Sequence, residues 1–445
     1  MLSKPNVYFV GIGGIGMSAL ARYFKSIGKN VAGYDKTETP LCKALVSEGI
    51  DIHYEPSIKQ IPKKFKSHNT LVVYTPAVPN DMEELLYFTE YGYHPLKRAR
   101  VLGLISQNHY CLAVAGTHGK TTTSTLLAHI LKQANRNVCA FLGGISTNYN
   151  SNFIAGNQTS VLVVEADEYD RSFLQLDPQA AVITSVESDH LDIYGEGDSI
   201  QTAFKEFTGK VEKICVVHSD TRLPGMTYGI ESGAHFNGDN LQVIDHQFHF
   251  DLSVSDQYTI KDITCGLPGR HNVENAIAAA ALALIYGLSP EEVKTGIGSF
   301  TGVKRRFEYH IKNDDQILID DYAHHPSEIK ALTQALKELY PGQKVRGIFQ
   351  PHLYSRTRDF EDEFAEALGQ LDELWLMDIY PAREKPIPGV TSNALLQKIN
   401  LEHKQLGSST EILNHCAQNP QGITVTIGAG DIDQLVQPLK FKLLQ

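Results

Sequence analysis

Two glycine-rich loops constrain the fold of this chain more than any other feature, because each lies between an apolar run and an amphipathic helical pattern. The first, Gly11-Ile-Gly-Gly-Ile-Gly16, follows Val7-Tyr-Phe-Val10. The second, Gly116-Thr-His-Gly-Lys-Thr-Thr-Thr123, follows Cys111-Leu-Ala-Val-Ala115. A strand, a glycine loop and a helix in this order present backbone N–H groups at a helix N-terminus, where they bind phosphate. The sequence therefore predicts two nucleotide sites in an α/β protein.

The first loop has the G-x-G-x-x-G spacing of dinucleotide-binding folds. Gly11 permits the tight turn, Gly13 lets the backbone approach a diphosphate, and Gly16 lets the helix pack on the strand. Asp35 ends the next predicted strand, where an acid can meet a ribose hydroxyl. NAD and a UDP-sugar share ribose and diphosphate, so the motif leaves the nucleotide open, and a purely structural turn is the alternative. The residues assigned to this site are Gly11, Gly13, Gly14, Ile15, Gly16, Asp35, Thr75 and Ala77.

The second loop ends as a P-loop does, in Gly119-Lys120-Thr121. Lys120 is suited to neutralise the β- and γ-phosphates of ATP, and the Thr121 hydroxyl is suited to bind Mg²⁺. Its spacing is shorter than that of a standard P-loop, because Val114 occupies the position where the leading glycine would stand. A glycine turn with an incidental lysine is the structural alternative. The residues assigned to ATP in this loop are Gly116, Thr117, His118, Gly119, Lys120, Thr121 and Thr122.

The bulk composition narrows the class of protein. The 445 residues suggest about three domains, and the net charge of −11 argues against general nucleic-acid binding. No apolar run approaches the roughly 20 residues that span a bilayer, and the N-terminus lacks the apolar core of a signal peptide. The six cysteines are scattered without a C-x-x-C pair, as expected for reduced thiols. We therefore expect a cytoplasmic protein that binds neither nucleic acid nor membrane.

Carboxylates follow two apolar strands in the middle third of the chain. Glu165-Ala-Asp-Glu168 comes after one strand, and Glu187-Ser-Asp-His190 comes after the next. Ligands bind at the carboxyl ends of strands in open α/β sheets, and oxygen ligands suit Mg²⁺. A histidine is unusual for Mg²⁺, so the residues alone leave His190 as either a metal ligand or an ordinary polar residue.

These motifs resemble the central domain of the Mur ligase family, and so does Gly269-Arg-His-Asn-Val-Glu-Asn275. The resemblance implies Thr121, Glu165 and His190 as metal ligands. It also implies that His271, Asn272 and Asn275 lie near the adenine of ATP. In several members of the family a downstream lysine is carbamylated. Lys205 is the nearest candidate here, with a plain surface lysine as the alternative.

The C-terminal third repeats a strand followed by a polar turn, which indicates a further open α/β domain. By resemblance, Asp321 lies near the ATP ribose, and Arg306, in the segment between the second and third domains, reaches the ATP phosphates. The resemblance also implies three residues around the incoming amino acid. They are Tyr322, His324 and Arg356. Many relatives have arginine where Leu353 stands, and Arg358 is a candidate substitute.

The predicted architecture has three domains. They are a Rossmann-like UDP-sugar-binding domain at 1–107, a P-loop ATPase-like α/β domain at 108–303, and a Rossmann-like amino-acid-binding domain at 304–445. The resemblance implies ATP-dependent addition of L-alanine to the lactyl carboxylate of UDP-N-acetylmuramate through an acyl phosphate, with Mg²⁺. The implied catalytic residues are Lys120, His190, Arg306 and His324.

Three other functions are compatible with parts of the sequence. A recycling ligase would attach a tripeptide to the same UDP-sugar, an NAD-dependent oxidoreductase would explain only the first loop, and a nucleotide sensor would not need the C-terminal polar cluster. His324 has a suitable intrinsic pKa for removing the ammonium proton, although the motifs do not identify that base. We expect a monomer or a weak dimer.

Overall fold

A computed structural model of the chain describes residues 2–157, 159–186, 197–255, 257–382 and 384–445. Three sheets organise this part of the chain, one in each predicted domain. The chain forms two compact units, of which the first comprises Met1–Asn240, Asp251–Ile263 and Glu274–Phe300. The second comprises Leu241–Phe250, Thr264–Val273 and Thr301–Gln445. Within the described ranges, no helix has both the length and the apolar character that crossing a bilayer requires.

The N-terminal domain has a five-stranded parallel sheet in the order β3-β2-β1-β4-β5. Its strands are β1 Asn6–Val10, β2 Asn30–Tyr34, β3 Asp51–His53, β4 Thr70–Tyr74 and β5 Leu96–Lys97. Its helices are α1 Ile15–Ser26, α2 Pro40–Ser47, α3 Glu83–Glu90 and α4 Arg98–Ser106. As the sequence predicts, β1 is buried along its length and runs through the first glycine loop into α1.

The middle domain has a ten-stranded sheet in the order β15-β14-β13-β12-β11-β10-β6-β9-β7-β8. The first group of strands is β6 Tyr110–Ala115, β7 Val138–Ser146, β8 Ser151–Ile154, β9 Val161–Glu165 and β10 Ala180–Ile183. The second is β11 Ile214–His218, β12 Met226–Ile230, β13 Phe236–Ile244, β14 Gln247–Val254 and β15 Tyr258–Cys265. Its helices are α5 Lys120–Gln133, α6 Gly197–Lys210, α7 Arg270–Tyr286 and α8 Pro290–Gly298. The phosphate-loop strand β6 lies between β10 and β9 and pairs with both in parallel.

Helix α1 is fixed to the middle domain by a buried amide. The Asn152 side chain is fully buried and donates to the Ile15 carbonyl at 2.6 Å and to the Ser18 hydroxyl at 2.9 Å. The Tyr23 ring adds an edge-on contact with Phe153, at 6.3 Å between centroids. Since a buried polar group is costly unless it is hydrogen-bonded, this contact fixes the first glycine loop relative to the middle sheet.

The C-terminal domain has a six-stranded sheet in the order β16-β17-β21-β18-β19-β20. Its strands are β16 Glu308–Lys312, β17 Gln316–Asp321, β18 Val345–Phe349, β19 Glu373–Leu376, β20 Lys404–Leu406 and β21 Gly422–Ile427. Its helices are α9 Pro326–Leu339, α10 Tyr354–Asp359, α11 Glu361–Leu368, α12 Ser392–Lys398, α13 Ser409–Gln418 and α14 Val436–Leu443. Only β16 among these paired strands runs antiparallel to its neighbour, so the predicted α/β class is confirmed here too.

The polar residues of the motif Gly269–Asn275 are already helical, because α7 begins at Arg270. Gly269 has a φ of +100°, which a side chain rarely tolerates, and the Asn272 amide donates to the Pro268 carbonyl at 2.6 Å. The turn therefore ends one residue before the motif's polar side chains, which lie in the first helical turns.

Candidate active site

The phosphate loop closes around its own lysine. Gly119, at φ +78°, precedes α5, so Lys120 is the first residue of that helix. The Lys120 ammonium group donates to the carbonyls of Gly116 at 2.7 Å and Thr117 at 3.1 Å. It also forms an ion pair with Glu168, at 2.9 Å. The lysine side chain therefore folds back over the loop that precedes it.

The charge of Lys120 is secured by its neighbours. Burial alone would lower its pKa, but the carboxylates of Glu168, Glu165 and Asp167 outweigh that effect and raise the pKa above its ordinary value. The side chain of Glu168 is only 1% exposed and that of Lys120 is 13% exposed. A cation is therefore held at the phosphate loop at any physiological pH.

The end of β10 supports the loop, which the sequence motifs do not reveal. The Ser185 hydroxyl accepts from the His118 backbone N–H at 2.9 Å, and the Ser185 carbonyl accepts from the Thr117 N–H at 3.0 Å. A methyl group on Gly116 would collide with the Thr184 hydroxyl. The loop thus keeps its shape through contacts with a strand about 70 residues further along the chain.

Oxygen ligands for a cation meet between α5 and β9. The Thr121 hydroxyl donates to a Glu165 carboxylate oxygen at 3.1 Å. A methyl group on Gly143 would collide with that carboxylate. The lack of a side chain at Gly143 therefore provides the space that the Glu165 carboxylate occupies. Hydroxyl and carboxylate oxygens are the donors that Mg²⁺ accepts, so these residues fit the metal. His190 lies outside the described residues, and Lys205 is exposed on α6.

The predicted adenine residues fall in different units. Asn275 belongs to the same unit as the phosphate loop, and its side-chain oxygen accepts from the Thr123 hydroxyl at 3.1 Å. A methyl group on Gly119 would collide with the Asn275 amide, so this side chain adjoins the loop. His271 and Asn272 belong to the second unit.

Next to the first glycine loop, each carboxylate oxygen of Asp35 accepts a hydrogen bond from a backbone N–H. One oxygen accepts from the Gly13 N–H at 2.7 Å, and the other accepts from the Thr37 N–H at 3.1 Å. A methyl group on Gly13 would lie 2.5 Å from the Cys42 sulfur, and one on Gly11 would lie 2.6 Å from a Thr75 methyl. The predicted residues Thr75 and Asp35 therefore both border the loop, and Asp35 shapes its backbone.

A charged cluster follows β17 in the C-terminal domain. The Arg306 guanidinium lies over the Tyr322 ring at 5.0 Å and is 3.7 Å from a Glu328 carboxylate oxygen. A carboxylate oxygen of Glu328 also lies 3.2 Å from the His324 Nδ1. Glu328 therefore joins two of the predicted catalytic residues, although no motif pointed to it.

His324 is held in its neutral form. Burial lowers its pKa to about 4, and the cations Arg356 and Arg306 add to that effect against the opposing charge of Glu328. Its Nδ1 is 3.0 Å from the Tyr322 carbonyl, which can only accept a hydrogen bond. The proton of the neutral ring is therefore assigned to Nδ1, and Nε2 carries the lone pair.

Asp321 anchors the segment that carries Arg306. Its carboxylate accepts from the backbone N–H of Phe307 at 2.7 Å and of Ala323 at 2.8 Å. Burial raises its pKa to about 6, which the nearby Arg306 partly opposes. Both oxygens thus hold the protein backbone, and the ribose contact expected of Asp321 stays a prediction.

Arg356 lies in α10 and is 9% exposed. Its charge contributes to lowering the pKa of His324 and also that of His352, whose pKa falls to about 4 chiefly through burial. The His352 ring stacks on Tyr380 at 5.7 Å. The Arg356 cation thus acts electrostatically on two neutral imidazoles, and a buried guanidinium suits the carboxylate of an amino acid.

Leu353, the residue just before α10, has a strained backbone. Its φ is +73°, a region that side chains rarely adopt. Its N–H donates to the Tyr380 carbonyl at 2.9 Å, and its carbonyl accepts from the Thr357 N–H at 3.2 Å. Such strain is typical of functional sites, where surrounding contacts maintain it.

Three α/β domains in series, with a glycine loop in the first and a lysine-bearing phosphate loop in the second, define a multidomain nucleotide-binding enzyme. Family models match each domain in turn. The Mur ligase family catalytic domain matches residues 6–110, the Mur ligase middle domain matches 114–283, and the Mur ligase glutamate ligase domain matches 305–432. The chain belongs to the Mur ligase family.

Individual relatives match over the full length. A protein named UDP-N-acetylmuramate--L-alanine ligase from Flavobacterium johnsoniae is 51% identical over 437 residues, covering 98% of this chain and 97% of its own. The protein of the same name from Parabacteroides distasonis is 48% identical over 445 residues, covering 98% and 96%. The crystal structure of UDP-N-acetylmuramate-alanine ligase from Thermotoga maritima superposes with a TM-score of 0.82 at 27% identity, covering 99% of each chain.

Proposed function

We propose that this protein joins L-alanine to the lactyl carboxylate of UDP-N-acetylmuramate with cleavage of ATP to ADP and phosphate. The observation that carries the proposal is the 51% identity, over 98% of the chain, to a relative named for that activity. The residues of each domain supply a chemical role that the reaction requires. This assignment makes the protein an enzyme of peptidoglycan precursor synthesis.

The first step needs a cation at the γ-phosphate. A lactyl carboxylate oxygen attacks the γ-phosphorus, the bond to the β-phosphate oxygen breaks, and an acyl phosphate and ADP form. Lys120, held charged by Glu168, stabilises the charge that develops on the transferred phosphoryl group. Arg306 is the second cation we assign to this role.

The second step needs a free amine. The nitrogen of L-alanine attacks the acyl carbonyl carbon, and phosphate leaves with the electron pair of the C–O bond. We assign Arg356 to the carboxylate of the amino acid, because a guanidinium matches its planar fork. We assign the proton that the ammonium group gives up to the Nε2 of His324, the ring nitrogen opposite the one that faces the Tyr322 carbonyl.

Thr121 and Glu165 would hold Mg²⁺, which supplies charge neutralisation of the ATP phosphates when bound. Replacing Gly143 by alanine is expected to push the Glu165 carboxylate away from Thr121, because the added methyl group would overlap it. We expect the Mg²⁺ concentration for half-maximal activity to rise about tenfold, in the range of lost metal-site contacts. Titration of ADP release with MgCl₂ measures it.

The matched control is Gly209 to alanine, since a methyl group there meets nothing within 4 Å. It should leave the Mg²⁺ dependence unchanged. An unaltered Mg²⁺ titration in the Gly143 variant would mean that Glu165 does not bind the metal.

Acceptor-dependent ADP release tests the function itself. With UDP-N-acetylmuramate and ATP present, L-alanine should stimulate ADP release, and the tripeptide L-alanyl-γ-D-glutamyl-meso-diaminopimelate should not. Stimulation by the tripeptide alone would favour the recycling ligase, the activity named for a Neisseria structure that matches 68% of this chain at 27% identity. Hydroxylamine in place of the amino acid should yield a hydroxamate, and its absence would contradict the acyl-phosphate route.

A further inference from the structure

Arg98 occupies an electrostatically unusual position beside the first glycine loop. A methyl group on Gly16 would lie 2.8 Å from the Arg98 guanidinium nitrogen Nη1 and 3.0 Å from its Cδ. The sequence pattern assigned Gly16 to packing of helix on strand, whereas the structure shows it making room for this side chain. A glycine that admits a cation to the first turn of α1 calls for an electrostatic explanation.

Two helix N-termini and a cation meet at this point. Arg98 is the first residue of α4, and Gly16 is the second residue of α1. Neither helix has an acidic residue in its first turn, and neither first turn is capped by a side chain within the described residues. Each helix N-terminus carries about half a positive charge. An oxyanion at this point would be attracted by all three positive groups, which it would share with the carboxylates of Asp35 and Asp167.

The Arg98 guanidinium is also held by the carboxylate of Asp167. The Arg98 Nη2 forms an ion pair with an Asp167 carboxylate oxygen at 3.2 Å, with 23% and 39% of the side chains exposed. Asp167 lies between Glu165, which accepts from Thr121, and Glu168, which pairs with Lys120. Arg98 thus joins the first glycine loop to the segment that organises the phosphate loop.

We propose that Arg98 binds an oxygen of the UDP-sugar diphosphate and that Asp167 positions it. This inference rests on the proposed function, since it takes the first loop as the UDP-sugar site. Asp167 uses one oxygen for Arg98 and the other for the Tyr169 N–H at 3.1 Å, so the pair has a fixed geometry. Within the described parts of the chain, Asp167 is the one hydrogen-bond acceptor of this guanidinium, so its remaining N–H groups can meet a phosphate. Through the Arg98 side chain, diphosphate binding is coupled to the position of residues 165–168.

Calorimetric titration of the full chain with UDP tests the assignment. Arg98→Ala should raise the Kd for UDP about 10- to 100-fold, the range for a lost charge-assisted hydrogen bond. Arg98→Lys should raise it less, because lysine keeps the charge but loses the fork. Asp167→Asn should give an intermediate rise, since the amide no longer pins the guanidinium. The affinity for uridine, which has no phosphate, should change less than about twofold, as expected if only the phosphate contact is lost.

Arg100→Ala is the matched control, because Arg100 is an exposed residue of the same helix. It should leave the Kd for UDP unchanged, and all variants should keep the wild-type far-UV circular dichroism and melting temperature as a check of folding. Equal UDP binding by wild type and Arg98→Ala would overturn the inference. A loss confined to UDP-N-acetylmuramate would overturn it too, because Arg98 would then contact the sugar's carboxylate. Failure of the wild type to bind UDP would instead contradict the proposed function.

Discussion

Replacing Lys120 by methionine is expected to reduce acceptor-dependent ADP release by about 1000-fold, the scale on which a phosphoryl-stabilising cation acts. The methionine keeps the length of the side chain but loses the charge that Glu168 holds at the phosphate loop. UDP binding at the first glycine loop should stay within about twofold of wild type, because among the described residues Lys120 donates to its own loop and to Glu168 alone. A coupled assay for ADP and a UDP titration measure the two quantities.

A variant that removes Lys120 leaves the Glu168 carboxylate buried without its cation, which is itself destabilising. The double variant Lys120→Met with Glu168→Gln removes that charge, so it should melt near the wild-type temperature and remain inactive. Lys132→Met, an exposed lysine at the other end of α5, should keep full activity. Retained turnover in the folded double variant would contradict the role of Lys120.

Replacing Arg356 by alanine is expected to raise the KM for L-alanine about 100-fold, because loss of one partner from a buried charge pair costs that much or more. Hydroxamate formation with hydroxylamine, which involves no amino acid, should persist near the wild-type rate. This division between the two half-reactions distinguishes loss of amino-acid binding from loss of fold. Equal loss in both assays would mean that Arg356 maintains the C-terminal domain instead.

Arg358 provides the control for Arg356 and tests whether it replaces the arginine absent at position 353. Its guanidinium is 55% exposed and pairs with Asp359 at 2.7 Å, so its charge already has a local partner. We expect Arg358→Ala to change the KM for L-alanine less than about threefold, as for other exposed ion pairs. A large increase would show that Arg358 takes part in amino-acid recognition.

The sequence predicted the features that depend on short stretches of chain. Both glycine loops, the strands before them and the α/β class follow from local spacing and apolar periodicity, and the family resemblance is confirmed by matches across all three domains. The contacts that shape the sites were not predictable in this way. Ser185 supports the phosphate loop from 67 positions away, and Arg98 reaches Asp167 across 69.

Residue roles were harder to predict than residue positions, because a side chain has several partners within reach. Asp35 was assigned to a ribose from its place at a strand end, and Asp321 by the family resemblance. Each also holds two backbone N–H groups, which neither the spacing nor the resemblance indicated. Gly16 was assigned to helix packing, yet it borders Arg98. A motif specifies which residue type is required, whereas the neighbours that compete for it come from the folded chain.

The lysine folded over its own loop has a consequence for turnover. All three N–H groups of Lys120 already have acceptors, in two carbonyls and the Glu168 carboxylate. An arriving nucleotide must replace these hydrogen bonds. Its binding therefore gains only the free-energy difference between a Lys120 hydrogen bond to a phosphate oxygen and one to a protein oxygen. When the γ-phosphoryl group has left, the same acceptors reclaim the lysine. In the mechanism that we propose, we therefore expect ADP to be held less tightly once it is a product, with the site back in its starting state for the next cycle.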